Sequence, residues 1–218
     1  MIESKAWKWE IVDKDDKYWN SPAKEVYFLC QNWKDKGYSE FLDVGVGFGR
    51  NAIYLAKNGF NVSGFDLSEH SVKMTYEKAK EQGVSLGEIK VADMLKFPYN
   101  DESFDCMLAM NVISHTDLEG FKKILGEIKR TLKTGGEVYF TVGSKKSFWF
   151  NNPVCTYVDD NTRIRVEDGP ENGIPHFYMG DEDCFTLFND FKIIEIKEVR
   201  ELTKHGNFSP HYHIWLKK

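Results

Sequence analysis

Residues 41–51 read Phe-Leu-Asp-Val-Gly-Val-Gly-Phe-Gly-Arg-Asn. A short apolar run (Phe41, Leu42, Val44) enters three glycines at alternate positions, Gly45, Gly47 and Gly49. Ala52, Ile53, Leu55 and Ala56 then recur with helical spacing. The pattern predicts a buried strand, a glycine turn and a helix. Glycine tolerates positive φ and carries no Cβ, so backbone can press against a ligand in such a turn. The helix that follows points free N–H groups and its positive dipole end at the same place. The stretch therefore reads as a cradle for a nucleotide-like cofactor.

Downstream, residues 60–65 predict a second strand ending at Asp66, and Ser68 caps a helix with its body over 71–82. Residues 85–92 predict a third strand closed by Asp93. Residues 104–110 are nearly all apolar, as in a strand covered on both faces. Asp117 opens a helix to Leu132, Lys133 to Gly136 form a turn, and residues 137–142 make a fifth strand. A β-α-β-α-β order implies a parallel sheet with right-handed crossovers. The last part predicts a helix over 181–188 and strands over 192–199 and 211–216, the two strands forming an antiparallel hairpin. Residues 143–180 break this rhythm and read as an insertion at the mouth of the cofactor site, where such sheets carry specificity.

Upstream, residues 1–37 form an N-terminal helical cap segment of the same single domain, 1–218. Ser21-Pro22 signals a helix start, with Ala23, Val26, Leu29, Cys30 and Trp33 on its apolar face and Gly37 as its stop. Tyr18 and Trp19 are expected to pack this helix rather than to close a lid over the turn.

The composition is that of a soluble globular chain, with 41% hydrophobic and 29% charged residues and a net charge of -5. That balance argues against nucleic acid as a partner. No apolar run approaches the roughly 20 residues that cross a bilayer, and the first residues lack a secretory apolar core. Cys30, Cys106, Cys155 and Cys184 are scattered and read as reduced thiols of a cytoplasmic protein. Lys145-Lys146 beside Phe148-Trp149-Phe150 reads as a loop packing its aromatics. The expected partner is a small-molecule acceptor, and the expected assembly a monomer or homodimer.

An acid at the end of the second strand accepts ribose hydroxyls in dinucleotide sites, and Asp66 fits that role. A nicotinamide-dependent oxidoreductase is thus one rival reading, but Arg50 occupies the slot of the last glycine in G-x-G-x-x-G. Asp43, Asp66 and Asp93 gather at C-terminal strand ends. Three carboxylates suit a ligand with a positive centre, ribose hydroxyls and an adenine amine, and suit a phosphate poorly. S-adenosylmethionine has those features.

The stretches FLDVGVGFGRNAIYLAKNGFNVSGFDLSEHSV, VADMLKFPYNDESFDCMLAMNVISH and EIKRTLKTGGEVYFTV resemble the successive motifs of class I S-adenosylmethionine-dependent methyltransferases. The resemblance implies a Rossmann-like three-layer α/β sandwich. Its sheet is seven-stranded and mostly parallel, in the order 3-2-1-4-5-7-6, with the seventh strand antiparallel. It further implies methyl transfer to a small molecule, S-adenosylhomocysteine being the product. By the same resemblance, Asp43 and Gly45 lie near the methionine moiety, Gly47 and Gly49 line the turn, and Asn51 approaches the carboxylate. Asp66 takes the ribose hydroxyls and Leu67 packs on the adenine. Asp93 accepts from the adenine amine, Met94 flanks the ring, and Met110 and Asn111 form the floor. A non-catalytic binder of the same cofactor is the second rival.

Methyl transfer from a sulfonium needs no acid at the leaving group, and it needs a base only where the acceptor holds its proton. His115, in the loop after the fourth strand, is the candidate catalytic base. His176, His205, His211 and His213 crowd the C-terminal third, and His211 and His213 share a strand face. They suggest a metal site or an acceptor wall. No acid or Cys pair near them in sequence completes a ligand set, so no metal is expected.

Overall fold

The structure is a computed structural model and describes residues 1–166, 168–202 and 208–218. The strands of its main sheet are β1 (Glu40–Val44), β2 (Asn61–Asp66), β3 (Ile89–Val91), β4 (Phe104–Ala109), β5 (Leu132–Ser144), β9 (Lys192–Leu202) and β10 (Phe208–Lys217). β6 (Thr156–Tyr157), β7 (Thr162–Ile164) and β8 (Pro175–Met179) lie between β5 and β9 in the chain. The helices are α1 (Lys17–Asn20), α2 (Lys24–Asp35), α3 (Arg50–Lys57), α4 (Glu69–Glu81), α5 (Leu118–Thr131), α6 (Phe148–Asn151) and α7 (Asp183–Thr186).

Pairing runs β3-β2-β1-β4-β5-β10-β9, parallel from β3 to β5, with β10 antiparallel to both β5 and β9. This is the expected order 3-2-1-4-5-7-6 with its antiparallel hairpin. β4 shows why the sheet is a middle layer. Cys106 and Leu108 enter one core with Trp33, Phe41 and Leu55, beneath α2 and α3. Met107 and Ala109 enter the other, with Phe121, Ile124 and Phe140, beneath α5. Alternation along a strand that is apolar but for Asp105 feeds both faces.

Several boundaries differ from expectation. The third strand is only Ile89–Val91; before it a single backbone bond, Gly87 N–H to Val62 O, ties residue 87 to β2. The helix expected over 181–188 shrinks to α7. β5 runs on to Ser144, and the insertion after it is structured. β8 pairs parallel with the end of β5 through Tyr178 and Met179, and antiparallel with β7, which pairs with β6. A three-stranded annex thus stands at the C-terminal end of β5.

The Ser21-Pro22 signal is displaced as well. Ser21 ends α1, and α2 begins with Ala23 as its N-cap. Alanine has no capping oxygen, and its own N–H is taken by Asn51 Oδ1 of α3 at 3.0 Å. Elsewhere Ser68 and Asp117 cap α4 and α5 by accepting from Ser71 N–H and Gly120 N–H.

Candidate functional site

The glycine turn folds back on the end of β2. Gly45 N–H and Val46 N–H donate to Phe65 O, and Gly47 N–H donates to Asp66 Oδ2 at 2.9 Å. Asp66 Oδ1 accepts from Ser68 N–H at 2.9 Å. Gly47 O accepts from Thr75 Oγ1 at 2.8 Å. The acid expected on the ribose therefore also braces the turn and the start of α4. Gly47 has φ +54, and a Cβ there would lie 3.0 Å from the Trp9 ring. At Gly49, φ +78, it would lie 2.8 Å from Thr75 Cγ2.

Nine of the eleven expected cofactor residues meet on one cavity of about 640 Å³: Gly45, Gly47, Asn51, Asp66, Leu67, Asp93, Met94, Met110 and Asn111. That volume is within the range of small-molecule sites, roughly 300–1,000 Å³. Asp43 and Gly49 lie behind the lining residues. Gly49 is the N-cap of α3 and packs on α4, so its lack of Cβ serves helix contact. Asp43 lies under the turn, 2% exposed, and its Oδ2 is buried without a hydrogen-bond partner. Burial pushes its carboxyl well above the ordinary value, against the opposing pull of Arg50 and of the Ala52 N–H. Burial likewise raises Asp66, opposed by the N–H groups it accepts.

At the far strand end, Asp93 Oδ1 accepts from Ser4 Oγ and from Leu95 N–H, both at 2.8 Å. Asn111 sits just past β4 with φ +55, an uncommon conformation for a residue with a side chain. It is held there by Thr141, whose Oγ1 accepts the Asn111 N–H and donates to Asn111 Oδ1, each at 2.9 Å.

The N-terminal segment roofs this cavity. Trp7, Trp9 and Trp19 form a mutual cluster with centroids 4.8–5.1 Å apart, and Trp9 packs on Phe48 of the turn at 4.6 Å. Arg50 lies over Tyr18 at 4.7 Å and Trp19 at 5.3 Å, and it donates to Tyr18 O. Tyr18 and Trp19 therefore stand on the cavity wall, and the expectation that they merely pack α2 is corrected. Lys8 N–H donates to Pro170 O and Lys5 Nζ to Gly173 O, so the N-terminal strap and the insertion meet.

The opposite wall carries chemistry that the sequence reading assigned only to His115. His115 and His176 pack edge to face, centroids 4.7 Å apart. Burial holds both imidazoles well below their ordinary pKa; the neighbouring His176 and Arg165 act in the same direction on His115, as does Arg165 on His176. His176 Nδ1 lies 3.0 Å from Ile174 O, which can only accept, so Nδ1 bears the proton. Glu171 pairs with Arg165, and Arg165 stacks on Trp149 at 4.9 Å. Glu171 and Arg165 carried no sequence signal, because only the fold of the segment between β5 and α7 brings them beside His115.

The other histidines divide. His211 lies on the cavity wall, with Nδ1 donating to Ser209 O. His213 turns to the sheet interior, bonded to Tyr139 OH at 2.8 Å and 3.5 Å from Glu25. His205 lies outside the described residues. Lys145 and Lys146 are matched by Glu182, Asp183 and Asp181, while Phe150 packs on Tyr178. The four cysteines are buried.

The family described as "Methyltransferase domain" matches residues 42–140. That span runs from β1 through the turn, both acid-bearing strand ends and most of β5. Over that span, a little under half of the chain, it is similar to the class I S-adenosylmethionine-dependent methyltransferases. It is 39% identical over 143 residues to a sarcosine/dimethylglycine N-methyltransferase of Halorhodospira halochloris, 64% of this chain and 48% of that one. It is 32% identical over 118 residues to phosphoethanolamine N-methyltransferase 2 of Caenorhabditis elegans, 54% of this chain and 26% of that one. The chain thus spans less than half the length of either curated relative. Its fold is similar to that of Burkholderia thailandensis 1,6-didemethyltoxoflavin-N1-methyltransferase, solved with 1,6-didemethyltoxoflavin and S-adenosylhomocysteine. That likeness has a TM-score of 0.66 at 16% identity, covering 93% of this chain and 81% of that one.

Proposed function

We propose that this chain binds S-adenosylmethionine and transfers its methyl group to a small molecule held in the same cavity. The observation that carries the reading is the arrangement of that cavity. Asp66 and Asp93 bound one end, beside the glycine turn, and a wall of neutral imidazoles bounds the other.

The residues present fit the cofactor. Each oxygen of Asp66 accepts one backbone N–H and keeps a second acceptor direction for a ribose hydroxyl. Both bonds at Asp93 fall on Oδ1, which leaves Oδ2 for an adenine amine. Leu67 and Met94 would enclose the adenine. Gly45, Gly47 and Asn51 would take the methionine end, with Met110 and Asn111 beneath it. The bound cofactor supplies a methyl group on a cationic sulfur that leaves as a neutral thioether.

The protein then has two tasks, alignment and exclusion of water. The floor at Asn111, clamped by Thr141, positions the donor end. The Trp7–Trp9–Trp19 roof closes it from solvent. His115 and His176 face the acceptor side, and a neutral imidazole there can take the acceptor's proton. A roofed cavity favours a small acceptor over a polymer, and the name of the sarcosine/dimethylglycine relative points to the same class.

Calorimetry with S-adenosylhomocysteine, NADH and NADPH tests the cofactor. Micromolar binding of the first and none of the others is expected, and the reverse would make the chain a nucleotide-dependent oxidoreductase. Release of S-adenosylhomocysteine is then assayed across amine, phenol and carboxylate acceptors. Binding without turnover on every acceptor would leave a cofactor-binding protein instead.

A further inference from the structure

Three side chains from separate segments converge on the acceptor wall. His115 comes from the loop after β4, Glu171 from the loop before β8, and His176 from β8 itself. One ligand atom from each lies within 4.8 Å of the other two. Among the described residues this is the group of histidine, cysteine and acidic side chains close enough together to hold one metal ion.

The details at His176 point the same way. Its Nδ1–H is committed to Ile174 O at 3.0 Å, so Nε2 carries the lone pair. Nε2 is buried, takes no hydrogen bond and lies 3.7 Å from Glu171 Oε1. The residue is 5% exposed and lines the cavity. A ring nitrogen held in one tautomer by a backbone carbonyl, with its other nitrogen free, is the usual setting of a metal-bound histidine. Glu171 is oriented in the same manner: Arg165 takes Oε2, and Oε1 turns to His176. Carboxylate ligands are commonly steadied by such a second hydrogen bond.

We propose that His115, Glu171 and His176 form a binding site for a first-row divalent transition metal ion, open to the acceptor cavity. Two imidazole nitrogens and one carboxylate oxygen on one face suit zinc, iron(II), cobalt(II), nickel or manganese, and suit magnesium or calcium poorly. Ligand bonds of about 2.0–2.2 Å require the three atoms to draw closer than they stand in the empty site. The remaining coordination positions face the cavity, where an acceptor oxygen or nitrogen can complete the sphere. An acceptor hydroxyl held there would lose its proton to solvent more readily, since the ion stabilises the oxyanion. His115 would then act as ligand, and no base would be needed beyond solvent, because the ion would lower the pKa of the bound hydroxyl. This step rests on the acceptor-wall reading for its function, but the ion binding does not require it.

The test uses the full chain after chelator treatment, titrated with zinc, cobalt(II) and magnesium and no other ligand. One equivalent of zinc or cobalt(II) is expected to bind, with magnesium at least about 100-fold weaker. Cobalt(II) reports its ligands through visible absorption. His176→Gln and Glu171→Gln are expected to weaken zinc and cobalt(II) by at least about tenfold and to change the cobalt spectrum. His115→Gln, at a half-buried loop position, is measured beside them, so the test stands even if His176→Gln fails to fold. Circular dichroism identifies the folded variants. Absence of stoichiometric binding to the parent chain overturns the site. So does binding of unchanged affinity and spectrum in the folded variants, which places the ion elsewhere. S-adenosylhomocysteine binding, measured separately, shows whether the cofactor reading stands or fails on its own.

Discussion

Asp43 and Asp66 are one sequence feature, an acid at a strand end, with two fates. Asp66 reaches the cavity because β2 ends at it and its carboxylate turns up to Gly47 and Ser68. Asp66→Ala strands both N–H groups, at about 1–3 kcal/mol for each one left buried and unpaired. The variant is expected to lose stability in thermal unfolding and to bind S-adenosylhomocysteine at least about tenfold more weakly by calorimetry; unchanged affinity would remove Asp66 from the cofactor site. Asp43 is sealed under the turn, and burial raises its carboxyl well above the ordinary value. The folded state therefore holds that proton more tightly than the unfolded chain, whose value is about 3.9. Its contribution to stability is present below that value and is lost as pH rises through the raised folded one. Asp43→Asn abolishes this titration. Its melting temperature is expected to fall less than the parent's as pH rises above about 4. Parallel melting profiles over that range would show that Asp43 does not titrate in the fold.

The element that most changes meaning in three dimensions is the N-terminal strap. Its tryptophans read as ordinary apolar content, yet they cover the glycine turn, with Trp9 8% exposed between Phe48 and Gly47. Trp9→Ala removes a buried aromatic, a change that costs about 3–5 kcal/mol in a core. Because Trp9 sits on the roof, the loss is expected in both thermal stability and S-adenosylhomocysteine affinity. A variant that melts early but binds normally would make the strap a structural brace only. The annex of β6, β7 and β8 is the other reassigned element. Turn residues such as Asn152-Pro153 and Gly169-Pro170 mark it as irregular, but pairing with the end of β5 needs a partner strand that sequence spacing does not name.

Across the whole molecule, one buried acid ties the N-terminal helix to the sheet and to the C-terminal strand. Glu137 of β5, 2% exposed, accepts from Trp33 Nε1 of α2 at 3.2 Å and from Trp215 Nε1 of β10 at 3.0 Å. Lys36 at the end of α2 pairs with it at 2.8 Å. Glu137→Ala leaves two indole N–H groups without their acceptor and is expected to cost about 2–4 kcal/mol, since solvent can still reach Lys36. Glu137→Gln keeps an oxygen for the indoles and is expected to lose less. Denaturant unfolding of both variants checks the order; equal losses would assign the effect to the ion pair alone.

Local chemistry was enough for the sheet from β1 to β5, its parallel sense, the glycine turn and the acids that border it. Each of these depends on short-range pattern: apolar runs, glycines at alternate positions and capping residues. The order of the last strands followed from the short hairpin and from family resemblance. Tertiary structure alone decided that Asp43 and Gly49 are withdrawn from the cavity and that Tyr18 and Trp19 roof it. It also decided that His115 stands with His176 and Glu171 instead of acting by itself. Those outcomes turn on contacts between separate segments, such as Gly49 with Thr75, Arg50 with Tyr18 and His115 with His176, whose meeting is set by packing in three dimensions. Sequence spacing carries no record of such contacts.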